Sequence, residues 1–387
     1  MKVAIVHDWL TGMRGGEKCL DVFCEIFPGA DLYTLLHIKG NMSRIIEDMN
    51  IKTSFIQKLP LASKMYRNYL PLFPTAIEQF DLRGYDLVLS SSHCVAKGVI
   101  SPPQTCHVSF IHTPMRYVWE FAGDYFGRNS KGWLAGKAIP FFANYLRIWD
   151  VTSSNRIDHF IANSKHVAKR IKKYYRKEAV VINPPLDTQL FKPSEESNDF
   201  YLIVTAFAPY KRVDIAINAF NRLGLPLKII GIGQEEKRLK RLANKNIEFL
   251  GWQPDSVLVE YYASCKALIF PGEEDFGITP LEAQSSGRPV IAYGKGGVLE
   301  TVIPINRSDA RKPEPGVLNQ SATGLFFYDQ TEESLIEAVR YFERISNSFE
   351  KDKIREHALK FDRSVFKGRI NDFIEEKYVE FKELRIA

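Results

Sequence analysis

The 387-residue chain carries 52 lysines and arginines against 46 aspartates and glutamates, a formal charge of +6, with 45% hydrophobic and 25% charged residues. That length exceeds one ordinary core and points to two domains, and the balanced composition excludes a disordered chain. Five scattered cysteines, Cys19, Cys24, Cys94, Cys106 and Cys265, form no Cys-x-x-Cys pair, so they read as reduced core thiols and not as a disulfide framework or a zinc site.

The first apolar run, Val3–His7, is too short for a signal peptide or a spanning helix, so a cytoplasmic chain is expected. Similar runs rich in Val, Ile and Leu follow at Asp86–Ser90, Cys106–Ile111, His159–Ala162, Tyr201–Val204, Lys228–Gly231, Ala267–Pro271 and Pro289–Ala292, each suited to a buried parallel strand. Amphipathic stretches at Glu17–Phe27, His166–Tyr175, Val213–Leu223 and Glu235–Ala243 lie between them. Alternation of this kind predicts an α/β chain with two Rossmann-like, doubly wound parallel sheets. Consecutive prolines in Asn183-Pro184-Pro185-Leu186-Asp187 forbid helix and mark the domain boundary. The domains are therefore expected at 1–185 and 186–362, with a last helix over 363–387 that would pack back on the first.

Ligands of open α/β sheets bind beyond the carboxyl ends of the strands. After the first strand comes His7-Asp8-Trp9, then Thr11-Gly12-Met13-Arg14-Gly15-Gly16-Glu17, a glycine loop opening a helix, where backbone amides suit an anion or a sugar. Gly15 and Gly16 are donor-side candidates, and Asp8, Trp9 and Arg14 acceptor-side candidates. His112 and Arg116 follow the Cys106–Ile111 run. In the second domain, Lys211 and Arg212 stand at a helix start, where cations oppose the macrodipole and an anionic diphosphate gives them a purpose. The segment Glu273-Glu274-Asp275-Phe276-Gly277-Ile278-Thr279-Pro280-Leu281-Glu282 places Glu274 and Glu282 around a glycine turn, as acceptor-only groups for sugar or ribose hydroxyls, with Phe276, Gly277 and Ile278 as further donor-side candidates. A capping box with Pro280 at the first helical position would also account for Glu282. Gly296 and Gly297 offer further amides to a diphosphate, and Trp252 is a candidate neighbour for the base. With no Asp-x-Asp in the chain, no metal is required as a cofactor.

Lys165, Lys169, Arg170, Lys172, Lys173, Arg176 and Lys177 crowd one helix, and Trp133, Leu134, Phe141, Phe142, Tyr145, Leu146 and Trp149, with Lys137 and Arg147, form an aromatic stretch broken by Pro140. A solvated helix face with a buried helix, or peripheral contact with a membrane, accounts for these; nucleic acid is not the expected partner.

Together the motifs resemble glycosyltransferase family 4, retaining enzymes of the GT-B fold, from Met1 to roughly Phe361. The E-D-F-G-I-T-P-L-E segment is similar to that family's E-x7-E signature, which implies a donor-sugar contact for Glu274 and ribose contacts for Glu282. H-D-W-L-T-G-M-R-G-G-E, H-T-P-M-R-Y, P-Y-K-R-V-D and G-W-Q-P-D are similar to the WbaZ-like mannosyltransferases of O-antigen and exopolysaccharide synthesis, which implies GDP-mannose as donor and a glycan or polyprenyl-linked glycan as acceptor. The resemblance further implies that Lys211 holds the diphosphate, that His112 touches the donor sugar, and that the donor binds between the domains. Where many members carry an arginine five residues before the lysine, this chain has Ala206; Arg212 or Arg116 would substitute. A UDP-hexose donor, or a degenerate protein that binds sugar nucleotides without turnover, are the alternatives.

Overall fold

The computed structural model describes residues 1–120, 133–195, 198–305 and 321–386. The chain divides into two units, Met1–Pro185 with Ser364–Ala387, and Leu186–Arg363.

The first unit is built on seven strands, β1 (Val3–His7), β2 (Asp31–Thr34), β3 (Asn50–Thr53), β4 (Leu87–Ser92), β5 (Cys106–Ile111), β6 (His159–Ala162) and β7 (Val180–Val181), in the order β3-β2-β1-β4-β5-β6-β7. Every pairing is parallel. β1, β4 and β5 are buried along their whole length, because helices cover both faces. One face holds the helix Gly15–Ile26 and the C-terminal helix Arg363–Ile386, whose Phe366, Ile370, Phe373 and Ile374 are buried with Phe23 and Phe110. The other is a cluster of Trp9, Tyr66, Phe73, Leu146 and Trp149.

In the second unit, β8 (Tyr201–Val204), β9 (Leu227–Ile230), β10 (Ile247–Gly251), β11 (Ala267–Phe270), β12 (Val290–Tyr293) and β13 (Gly324–Phe327) form a parallel sheet in the order β10-β9-β8-β11-β12-β13. Helices Val213–Leu223 and Glu332–Ile345 cover one face and Asp255–Ser264 and Ile278–Ser285 the other.

Both sheets reverse their winding once, between β1 and β4 in the first unit and between β8 and β11 in the second. At such a switch point the flanking connections run to opposite sides and leave a crevice beyond the strand ends.

β4 continues two residues past the expected Asp86–Ser90. Its serines are interior: Ser90 Oγ bonds Ser109 Oγ at 2.7 Å and His107 Nε2 at 2.9 Å. Paired hydroxyls extend a buried strand without extending the apolar run that announces it.

Candidate active site

At the switch point of the second unit, the connection after β8 makes one turn, Pro209–Lys211, and reverses at Arg212, a non-glycine residue in the left-handed region with φ +50°. Lys211 Nζ is ion-paired with Glu274 Oε1 from the connection after β11. The two loops touch at Gly272, where a Cβ would stand 3.0 Å from Lys211 Cα. The connection after β12 locks on as well: Gly297 N donates to Glu274 O at 2.8 Å, and a Cβ on Gly297 would lie 2.3 Å from Asp275 O. Only glycine permits that approach. Lys211, Glu274 and the Gly296-Gly297 amides thus stand on three mutually braced loops.

Helix Ile278–Ser285 starts directly after Gly277, whose φ of +94° turns the chain into it. Thr279 and Pro280 are therefore the second and third helical residues, and the capping box expected from the sequence does not form. Glu282 has another partner: its buried Oε2 accepts from the Tyr262 hydroxyl at 2.8 Å. Phe276 also departs from its assignment, because its ring is buried against Phe361 in the core and leaves only its backbone for a donor. Ile278 is half-buried. Arg212 reaches Asp214 Oδ1 and Gln330 Oε1, both at 3.3 Å. Ala206 is exposed, as is Trp252, 68% accessible one residue beyond Gly251. One brace was missed from the sequence: a Cβ on Gly231, after β9, would lie 1.8 Å from Thr205 O, so that loop packs directly on the one after β8.

The switch point of the first unit gathers three imidazoles, His7 at the end of β1, His93 after β4 and His112 after β5. Ser91 Oγ bridges His7 Nδ1 at 3.1 Å and His112 Nε2 at 2.9 Å. Asn163 Nδ2 donates to His112 O at 2.9 Å and fixes that turn. Gly16, at the start of helix Gly15–Ile26, sits beside them, since a Cβ there would be 3.6 Å from His112 Nε2. Burial, with His93 and His7 adding to it, pushes the His112 imidazole down to about 3, so it is neutral at neutral pH.

Asp8 and Trp9 are not available to an acceptor. Asp8 is fully buried, and its oxygens accept from the backbone amides of His93, Cys94, Val95 and Ala96 at 2.6 to 2.9 Å. Burial works to raise this carboxyl, but His93, His7 and the amides outweigh it and hold it below the usual carboxylate range. Trp9 is buried against Tyr66 and Phe73. Both follow β1 so closely that the sheet takes them into the interior. Arg14 is exposed at the helix N-cap, its amide donating to Glu17 Oε2 at 3.1 Å. Gly15 is the first helical residue, and Arg116 opens the short helix Arg116–Trp119. His93 carried no sequence signal beyond the serine run before it. Among the described residues, no three His, Cys, Asp or Glu side chains converge as metal ligands.

Residues 187–360 match the family model for glycosyl transferases group 1, and residues 40–190 match that for glycosyltransferase family 4. The uncharacterized glycosyltransferase MJ1178 of Methanocaldococcus jannaschii is 29% identical over 193 residues, 48% of this chain and 55% of that one. O-antigen chain mannosyltransferase C of Escherichia coli is 34% identical over 129 residues, 29% of this chain and 35% of its own. The matched stretches thus span only about a third to a half of these curated relatives. The crystal structure of Anabaena Alr3699/HepE in complex with UDP superimposes with a TM-score of 0.68 at 16% identity, over 97% of this chain and 100% of that one, a likeness of fold. A family 4 glycosyltransferase domain over 40–190 and a group 1 domain over 187–360, on a two-sheet GT-B fold, thus identify the protein as a glycosyltransferase.

Proposed function

We propose that the protein is a retaining, metal-independent hexosyltransferase that moves mannose from GDP-mannose to a hydroxyl of a glycan or polyprenyl-linked glycan in cell-surface polysaccharide synthesis. The observation that carries this reading is the braced group Lys211, Glu274 and Gly296-Gly297 at one switch point, with Glu282 on the adjoining helix. In this reading the second unit, 186–362, holds the donor. Lys211 and the Gly296 amide take the diphosphate and stabilise the charge that grows on it as the glycosidic bond breaks, the Gly297 amide being spent on Glu274 O. Glu282, whose carboxylate also holds Tyr262, accepts from the ribose hydroxyls, and Glu274, released from Lys211, accepts from the sugar. In the first unit, 1–185 with the C-terminal helix, His112 and the Gly15-Gly16 turn are groups suited to sugar hydroxyls. The incoming hydroxyl approaches from the side of the departing diphosphate, whose oxygen takes the proton, so that the residues act by positioning and electrostatics.

Mannose is supported by the name of the Escherichia coli relative and by the motif resemblance; the UDP in the Anabaena structure favours a uridine donor as the second reading. A thermal-shift panel of GDP, UDP, GDP-mannose and UDP-glucose separates them, since a ligand at a hundred times its Kd adds about 2.7 kcal/mol of apparent stability. A selective shift with the guanosine ligands is expected. A shift with uridine ligands alone replaces the donor, and no shift with any of them rejects the transfer reading.

The acceptor reading extends to a lipid surface at the inner face of the cell membrane. Helix Trp133–Ser153 exposes Phe141, Phe142, Tyr145 and Ile148 while Ala143, Leu146 and Trp149 are buried. The side chains of Trp133, Leu134 and Lys137 lie outside the described residues. Helix Lys165–Tyr175 adjoins it, Tyr175 donating to Asp150 Oδ2 at 2.8 Å, and exposes Lys165, Lys169, Lys172 and Lys173 with no acidic residue of its own. Exposed aromatics beside a row of exposed lysines suit an anionic bilayer surface. No helix among the described residues is long and apolar enough to cross a membrane. Co-sedimentation with phosphatidylglycerol vesicles that weakens with salt, and with Phe141→Ser, is expected; equal recovery with phosphatidylcholine vesicles would reject the anionic preference, and no recovery with either at low salt would reject the lipid contact.

A further inference from the structure

We infer that His93 is a sugar-binding residue, its Nε2 accepting a hydrogen bond from a pyranose hydroxyl and its ring held for that task by Asp8 and Trp9. The inference rests on the glycosyl-transfer reading but names a residue outside the motifs that led to it.

Position is the first ground. His93 directly follows β4, and β1 and β4 flank the point where the winding of the first sheet reverses, the place at which open α/β sheets bind ligands. Rigidity is the second. The His93 amide donates to Asp8 Oδ2 at 2.7 Å, and the same oxygen lies 3.0 Å from His93 Nδ1. Trp9 meets the ring edge-on at 4.4 Å between centroids. Backbone, ring nitrogen and ring edge are each held by a buried residue, and a ring so held loses little entropy when it binds.

The third ground is the tautomer. A lone pair on Nδ1 would face a carboxylate oxygen at 3.0 Å, which is repulsive, so the proton of the neutral ring belongs on Nδ1 and the lone pair on Nε2. Burial keeps the imidazole below its ordinary range, with Asp8 opposing. Nε2 has no protein partner among the described residues, and the side chain is 24% accessible while Asp8 is wholly enclosed. The ring stands 6.3 Å from that of His112, whose Nε2 is taken by Ser91. Two neutral imidazoles with one nitrogen each left over, beside the Gly15-Gly16 turn, suit neighbouring hydroxyls better than an anion or a metal.

The hydroxyl belongs either to the transferred sugar or to the acceptor, and the test distinguishes them. Long-range 1H–15N spectra of the full chain at pH 7 are expected to show His93 protonated on Nδ1 alone; a ring protonated on Nε2 overturns the assignment. Next, His93→Phe and His93→Gln are compared with wild type in hydrolysis of the nucleotide sugar that the panel selects and in transfer to octyl α-mannoside. A hydroxyl of the transferred sugar predicts that His93→Phe lowers both rates about tenfold with nucleoside diphosphate affinity unchanged. An acceptor hydroxyl predicts an unchanged hydrolysis rate and a KM for octyl α-mannoside raised about tenfold, the loss of one neutral hydrogen bond. In both cases His93→Gln, which keeps a polar atom near the Nε2 position, recovers part of the loss. Full rates and KM in a folded His93→Phe overturn the proposal. If wild type binds no nucleotide, the transfer reading fails by itself. His93 is then judged by its Hε1 resonance during an octyl α-mannoside titration, and a resonance that does not move removes it too.

Discussion

Replacing Lys211 with alanine is expected to lower glycosyl transfer about a hundred- to a thousandfold while leaving the melting temperature nearly unchanged, the loss typical of one preorganised charge removed from a developing anion. The side chain is part-exposed and ion-paired with Glu274, and pairs of that kind add little to folding. Its backbone braces Gly272 whatever side chain it carries, so the loop survives the substitution. Lys211→Arg separates charge from shape: it restores the cation, but its planar fork does not reproduce a compact ammonium in a space already shared with Glu274. Rates, nucleotide affinity by calorimetry and thermal melts on the same preparations decide the matter. A folded Lys211→Ala with full turnover removes the residue from the donor site. Lost turnover together with a large fall in melting temperature makes it structural.

The second large effect is on stability. Lys97 and Asp150 are almost wholly enclosed in the first unit, with Nζ 2.9 Å from Asp150 Oδ1, from the Asp150 carbonyl and from Ser153 Oγ. The other Asp150 oxygen accepts from Trp119 Nε1 and Tyr175 OH, both at 2.8 Å. One carboxylate thus ties the short helix after His112, the aromatic helix and the basic helix to the turn after β4. Asp150→Ala strands a buried ammonium and is expected to cost about 3–5 kcal/mol, read as a shift of the urea midpoint, whereas replacing both partners, Lys97→Met with Asp150→Leu, is expected to return only the part due to the ammonium, because Trp119 Nε1 and Tyr175 OH still lose their acceptor. A single mutant within about 0.5 kcal/mol of wild type would show that water already reaches the pair.

The alternating pattern of apolar runs and amphipathic stretches carried the α/β class, because strands covered on both faces must be continuously apolar and that demand is local. Helix Val213–Leu223 was legible to the residue for a similar reason: its apolar stripe repeats at the helical period and Gly224 ends it. β2, β3, β10 and β13 were hidden because polar residues or glycine interrupt their apolar runs, β7 because it is two residues long, and the end of β4 by serines whose partners sit on the neighbouring strand. Glycines told where loops would run close but not what they approach. The contact of Gly297 with Asp275 and that of Gly231 with Thr205 join segments that only the sheet brings together.

The candidate site divides along the same line. Sequence by itself determined which residues could serve, since acceptor-only carboxylates, a cation at a helix start and glycine turns after strands are properties of residue type and spacing. Tertiary structure alone decided which of them are open. It took Asp8 and Trp9 into the interior, engaged Glu282 with Tyr262 in place of a helix cap, and left the neighbouring His93 accessible. Burial and partner choice depend on strand order, and a reversal of winding that sets β4 beside β1 is a fact about the whole sheet that no window of sequence contains.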